Sequence, residues 1–260
     1  MSWQAQGEDW LGLLLWTTEC ALFPTWGNLT GSFEAWAHRN RWRQQWDRLE
    51  QRQLIARERR AGALVCRLTE RGRQKALGGC NPETGWQQPW DGLWRQVLFD
   101  LPSGRKQIRV SLWRWLRDHH FGYLQHSVWV HPQPVPEVLE ALGEYRRDVE
   151  TFTIMEARCA PGYSDQAIVT GAWDFDEINQ RHDAYVRHAT VSEVELKRLA
   201  ATPAALAGWL RGERLAWQHA AALDPFLPRV LWPRSYRGEV AWQLRRHTLP
   251  QLARLLAGTS

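Results

Sequence analysis

Between residues 93 and 173, short apolar runs with strand-like composition alternate with stretches of helical period. That alternation limits the chain to a few layered folds. The strand-like runs are "LWRQVLFDL" (93–101), "YLQHSVWVH" (123–131), "TFTIMEARC" (151–159) and "QAIVTGAW" (166–173). A helix from about Arg105 to Phe121 places Ile108, Leu112, Trp115 and Leu116 on one face, and "VPEVLEALGEYRRDV" (135–149) has the same period. Read directly, the order is β-α-β-α-β-β. If "GYLQHSVWV" divides into two short strands, the order becomes β-α-β-β-α-β-β, whose first six elements are the ferredoxin-like β-α-β-β-α-β. The predicted class is α+β, with a ferredoxin-like module at residues 94–173.

The flanks have a different texture. Glu8 to Leu22 reads as an apolar helix, broken by Pro24, Gly27 and Gly31, and Ser32 is placed to cap a short helix "SFEAWA". In "HRNRWRQQWDRLEQRQLI" (38–55), Trp42, Trp46 and Leu49 form one apolar stripe and leave the cations outside it. "LIARE" and "ALVCRL" then read as a hairpin with Gly62 in its turn, and "LTERGRQKAL" as a helix capped by Thr69. This succession predicts a winged helix-turn-helix over residues 1–78. Residues 79–93 have the Pro and Gly content of a linker, and 174–260 read as a helical C-terminal region. Its Pro-rich interruption "DPFLPRVLWPRSY" (224–236) is too apolar for a free loop and is expected to lie against another surface.

Charge singles out the N-terminal region. Residues 1–37 hold four acids and no Lys or Arg, whereas residues 38–75 hold twelve Lys/Arg against four acids, a local balance of +8 in a chain of net charge +5. A basic helix and hairpin suit double-stranded DNA, because Arg and Gln can pair with guanine and adenine edges in the major groove and a wing can meet phosphates. The candidate DNA-binding residues are Arg39, Arg41, Arg43, Gln44, Gln45, Arg48, Arg57, Arg59 and Arg60. A winged helix used for protein contacts shares the same pattern. No apolar stretch approaches the roughly 18 residues a membrane span needs. Cys20, Cys66, Cys80 and Cys159 form no CxxC pair, as expected of reduced thiols in the cytoplasm.

Two long motifs carry a resemblance. "WDGLWRQVLFDLPSGRKQIRVSLWRWLRDHHFGYLQHSVWVHP" (90–132) resembles the core of the PaaX family of bacterial transcriptional repressors. "DPFLPRVLWPRSYRGEVAWQL" (224–244) resembles that family's C-terminal segment, with Trp232 for a customary Leu and Tyr236 for a customary Trp. The resemblance is weakest over residues 1–55. It implies an N-terminal winged helix, a central module similar to the small CRISPR adaptation nuclease, a helical C-terminal region, and a homodimer on palindromic operator DNA. The best-known members respond to an acyl-CoA, so the resemblance also implies a small-molecule effector.

The chemistry-bearing residues are few. Arg105 and Lys106 follow Ser103 and Gly104 at the start of a helix, where cations are unfavourable unless an anion docks. With Arg109 one turn along, Ser103, Arg105 and Lys106 are the candidate effector-binding corner, although side chains extending into water would look the same. Asp100, at a strand end, is the one candidate for metal-assisted nuclease chemistry, but no second acid stands in a matching position, and capping of nearby N–H groups is the simpler role. His119, His120, His126 and His131 show no ligand spacing. No catalytic residue, cofactor or metal is therefore predicted. The 18 Trp spread through the chain, which suits core packing over a single aromatic cage.

Overall fold

The computed structural model describes residues 42–60, 63–77, 81–100, 106–134 and 151–258. The expected helices at 8–22, 33–37 and 135–149 lie outside the described residues. The chain divides into two compact units that each take non-contiguous segments. One gathers Met1–Asn81, Arg181–Ala222 and Arg237–Ser260; the other gathers Pro82–Gln180 and Leu223–Tyr236.

In the first unit, α1 (Trp42–Gln51) leads into an antiparallel hairpin of β1 (Ile55–Arg60) and β2 (Ala63–Leu68), followed by α2 (Glu70–Ala76). The expected helix-hairpin-helix order is present, and Leu49 of the predicted stripe is buried. The exit from α1 turns on Gln53, which adopts a left-handed conformation at φ 57°. Its carbonyl accepts the Thr69 hydroxyl, while Thr69 Oγ1 accepts Gly72 N at 3.0 Å as the α2 cap. Gly72 is required by proximity: a Cβ there would lie 1.8 Å from Leu54 O.

The second unit opens with α3 (Pro82–Gln87), inside the stretch expected to be a linker, and buries Trp86 at 2% exposure. β3 (Trp94–Asp100), α4 (Lys106–Asp118), β4 (Gly122–Gln125), β5 (Val128–His131) and β6 (Thr151–Ala157) follow. "GYLQHSVWV" is indeed two strands, divided at His126 in the left-handed region (φ 44°). The sheet order is β4-β5-β3-β6, antiparallel throughout, with the first strand in the interior as a ferredoxin-like sheet requires. One face carries Val97, Phe99 and Trp129 against Leu112 and Leu116 of α4. The other carries Trp94 and Val130 against Val169, Ala172, Trp173 and Leu231.

One expected strand is a helix. "QAIVTGAW" forms α5 (Asp165–Ala172), because Ser164 caps it by accepting Gln166 N at 3.1 Å and Asp165 occupies the favourable first turn. The expectation failed because Ile168, Val169 and Ala172 sit at both helical and strand-like spacing in so short a run. α6 (Phe175–Ala189), α7 (Glu193–Ala201), α8 (Pro203–Ala221), a 3₁₀ turn (Arg229–Leu231) and α9 (Gly238–Gly258) complete the chain. In the first unit α7 packs against α8 and α9.

Candidate nucleic-acid interface

Of the predicted DNA-binding residues, Arg39 and Arg41 lie outside the described residues. Arg43, Gln44, Gln45 and Arg48 fall on α1, and Arg48 is exposed in its last turn. Arg57, Arg59 and Arg60 fall on β1. Strand alternation puts Arg57 on the sheet face of buried Ile55, and Arg67, paired with Ala56, on the opposite face.

Arg57 is not presented outward as the sequence suggested. Its Nε donates to Glu50 Oε2 at 2.7 Å, and its Nη2 to Glu50 and, at 2.8 Å, to Asp47 Oδ1. Both acids come from α1. The Arg57 hydrogen bond holds the Glu50 carboxyl below its usual range, so the pair stays ionised. Arg57 therefore ties the hairpin to the helix and fixes the angle between them. Arg67 on β2 and Arg71 on α2 are exposed cations that the helix-and-wing reading passed over, although both lie inside the basic block. Their signal was charge density alone.

At the candidate effector corner, Ser103 and Arg105 lie outside the described residues. Lys106 is the first residue of α4, whose first turn holds no acid, and Arg109 is half-buried one turn along. Asp100 is exposed at the end of β3, opposite Thr151 of β6. Among the described residues, no three His, Cys, Asp or Glu side chains come together to hold a metal ion.

The motif residues of the second unit have structural roles. Asp91 Oδ1 accepts Leu93 N at 2.9 Å across Gly92, whose φ of 78° suits glycine. The same carboxylate takes both Nη atoms of Arg95, at 2.8 and 2.5 Å, which depresses the Asp91 carboxyl to about 2. Arg95 is 7% exposed and also donates to Glu156 Oε1 and Pro132 O, each at 3.1 Å. Trp94 Nε1 donates to Asp165 Oδ1 at 2.8 Å, tying β3 to α5. The sequence "WDGLWR" is thus a turn that braces a buried guanidinium.

The segment 223–236 is packed, as its composition required. Phe226, Leu227 and Leu231 are buried, and Trp232 and Tyr236 lie edge-on to Trp86, with ring centroids 5.3 and 6.2 Å away. Asp224, fully buried, accepts Phe226 N at 2.8 Å and the Tyr236 hydroxyl. Two of the histidines without ligand spacing, His120 and His131, are half-buried. The His131 ring lies tilted against Phe121 with centroids 4.9 Å apart, and burial lowers its pKa to about 4; burial also lowers that of His120, beside Phe226.

Residues 87–169 match the family model described as the PaaX protein central Cas2-like domain. None of the curated proteins matches. A solved structure, the uncharacterized protein Rv0674 from Mycobacterium tuberculosis, is similar at a TM-score of 0.58 and 18% identity, covering 95% of this chain and 96% of its own. At that identity the likeness speaks of the fold. Among the described residues, no helix is long and apolar enough to cross a membrane.

Proposed function

We propose, from the premise that this chain belongs to the PaaX family through its central domain, that it is a DNA-binding transcriptional repressor. It works as a homodimer whose operator affinity is set by a small anionic or aromatic metabolite, an acyl-CoA being the chemistry that fits. Members of the family are regulators rather than enzymes, and this reading gives the chain no catalytic step.

The observation that carries the reading is the basic helix-hairpin-helix joined to that central domain. Arg48, Arg67 and Arg71 are exposed on three elements of it, α1, β2 and α2. Arg57 spends its charge inside the motif and keeps α1 and the hairpin in register. Arg43, Gln44 and Gln45 of α1, with Arg39 and Arg41 before it, are assigned to base and phosphate contacts. Arg59 and Arg60, at the end of β1, are assigned to the DNA backbone. The effector is assigned to the start of α4, where Lys106, Arg109, Ser103 and Arg105 would hold its anionic part.

The test is a titration of duplex DNA from the gene's own upstream region at several salt concentrations. If a dimer neutralises roughly six to ten phosphates, affinity falls by about 10³–10⁵ between 50 and 200 mM salt. An Arg41→Ala/Arg43→Ala variant loses most of that affinity. Salt-insensitive binding, or unchanged affinity in the variant, overturns the reading. A Lys106→Ala/Arg109→Ala variant keeps DNA binding and loses its response to metabolite.

A further inference from the structure

An α-helix ends with carbonyls that have no donor within the helix. At the end of α2, two such carbonyls are taken by side chains from far along the chain. Arg245 Nη2, on α9, donates to Ala76 O at 3.1 Å, and Trp217 Nε1, on α8, donates to Leu77 O at 2.8 Å. Both donor residues are fully buried. A guanidinium also complements the negative end of the α2 dipole.

Arg245 is itself held in place. Its Nε donates to Glu213 Oε1 at 2.8 Å, and the same oxygen accepts the Tyr185 hydroxyl at 2.9 Å. Burial, with the Glu213 charge beside it, pushes the Tyr185 phenol well above its usual range, so it remains a donor. The guanidinium carbon lies 4.9 Å from the Trp217 ring centroid, and that ring packs against Tyr185 at 5.2 Å and Trp242 at 5.4 Å. Side chains of α6, α8 and α9 therefore converge on the last turn of α2.

A buried ion pair is a poor source of stability, since apolar replacements of similar volume often do as well. Its distinctive contribution here is direction: it aims two donors at one helix end. The start of α2 is fixed just as closely, with Gly72 against Leu54 O and the Thr69 hydroxyl on Gln53 O. Whatever sets the pose of α2 therefore sets the exit of α1 and the base of the hairpin.

We infer that Arg245, Glu213 and Trp217 form a positioning node that holds α2, and through it α1 and the hairpin, in the pose that binds DNA. The inference rests on the DNA-binding reading above. None of the three residues touches DNA; each acts through α2.

The experiment uses the whole chain, with Arg245→Met and the milder Trp217→Phe, which keeps an aromatic ring but removes the donor. Amide hydrogen exchange is read over residues 70–77, with 94–100 as an internal control. Binding to the upstream duplex is read across salt concentrations. In each variant that folds, exchange over 70–77 is expected to rise at least tenfold while 94–100 stays unchanged. DNA affinity is expected to fall about tenfold with the slope of log affinity against log salt unaltered, because no phosphate contact is lost. Unchanged exchange over 70–77, a uniform rise in both segments, a shallower salt slope, or unchanged affinity each overturns the proposal. If the parent binds no DNA, the functional reading fails and the positioning role with it, while the exchange data still decide whether the node grips α2.

Discussion

The Tyr236 hydroxyl donates to Asp224 Oδ2 at 2.6 Å, closing the two ends of the segment 224–236 on each other. The same hydroxyl oxygen accepts Trp86 Nε1 at 3.2 Å, so the clasp is anchored to α3. Tyr236→Phe removes a donor from a buried carboxylate and an acceptor from an indole. The expected cost is about 2–3 kcal/mol, a fall in Tm of roughly 5–10 °C. Thermal unfolding followed by circular dichroism checks this, and a change under 1 °C would show the clasp to be idle.

Gly72→Ala places a methyl group 1.8 Å from the Leu54 carbonyl oxygen. Two backbones, rather than a flexible side chain, must then separate. The expected loss is about 3 kcal/mol or more, measured by urea unfolding. DNA affinity falls with it, because α2 can no longer sit against the exit of α1.

Gln53 stands where a left-handed backbone favours glycine. Gln53→Gly relieves a strain of about 1–2 kcal/mol, offset by up to about 1 kcal/mol of extra freedom in the unfolded chain. The variant is therefore expected to match or exceed the parent in stability, and Gln53→Val to fall below it. The reverse order in denaturant midpoints would sink this account.

His131 titrates at about 4 when folded, against 6.5 for an unperturbed imidazole, with burial the main cause. A lowered histidine pKa means that the unfolded chain binds more protons between those values, so stability rises with pH across that window. The contribution is nearly complete at pH 7, declines as pH falls below 6.5, and is gone below 4. Unfolding at pH 5 should need about 2 kcal/mol less than at pH 7 on this account. His131→Gln should flatten the dependence; His120, whose pKa burial also lowers, supplies what slope remains.

The sequence made some of this legible because certain patterns have a single physical solution. Leu112 and Leu116 could only face a sheet, and "RLEQRQLI…LTERGR" could only turn back on itself. α5 was misread because its apolar residues fit two periods and the cap at Ser164 decided between them. α3 was missed because Pro82 and Gly85 look like linker residues until Trp86 has somewhere to pack. Arg57 was assigned to DNA because nothing local shows that Asp47 and Glu50 lie within its reach once the hairpin folds back. The node at Arg245 was beyond sequence reading altogether, since Ala76 and Arg245 lie 169 residues apart.

That separation also has a tempo. Ribosomes add roughly 5–20 residues per second, so α2 leaves the ribosome about 10–30 s before the arginine that grips its end. The first unit, built from residues 1–81, 181–222 and 237–260, has to wait through synthesis of the whole second unit before it can close. A nascent chain stalled before residue 245 would carry every basic residue of the N-terminal block and yet lack the grip that aims them. On the DNA-binding reading proposed above, competence to occupy an operator is then conferred only once Arg245 has been added, and chains terminated before it are poor competitors for the site.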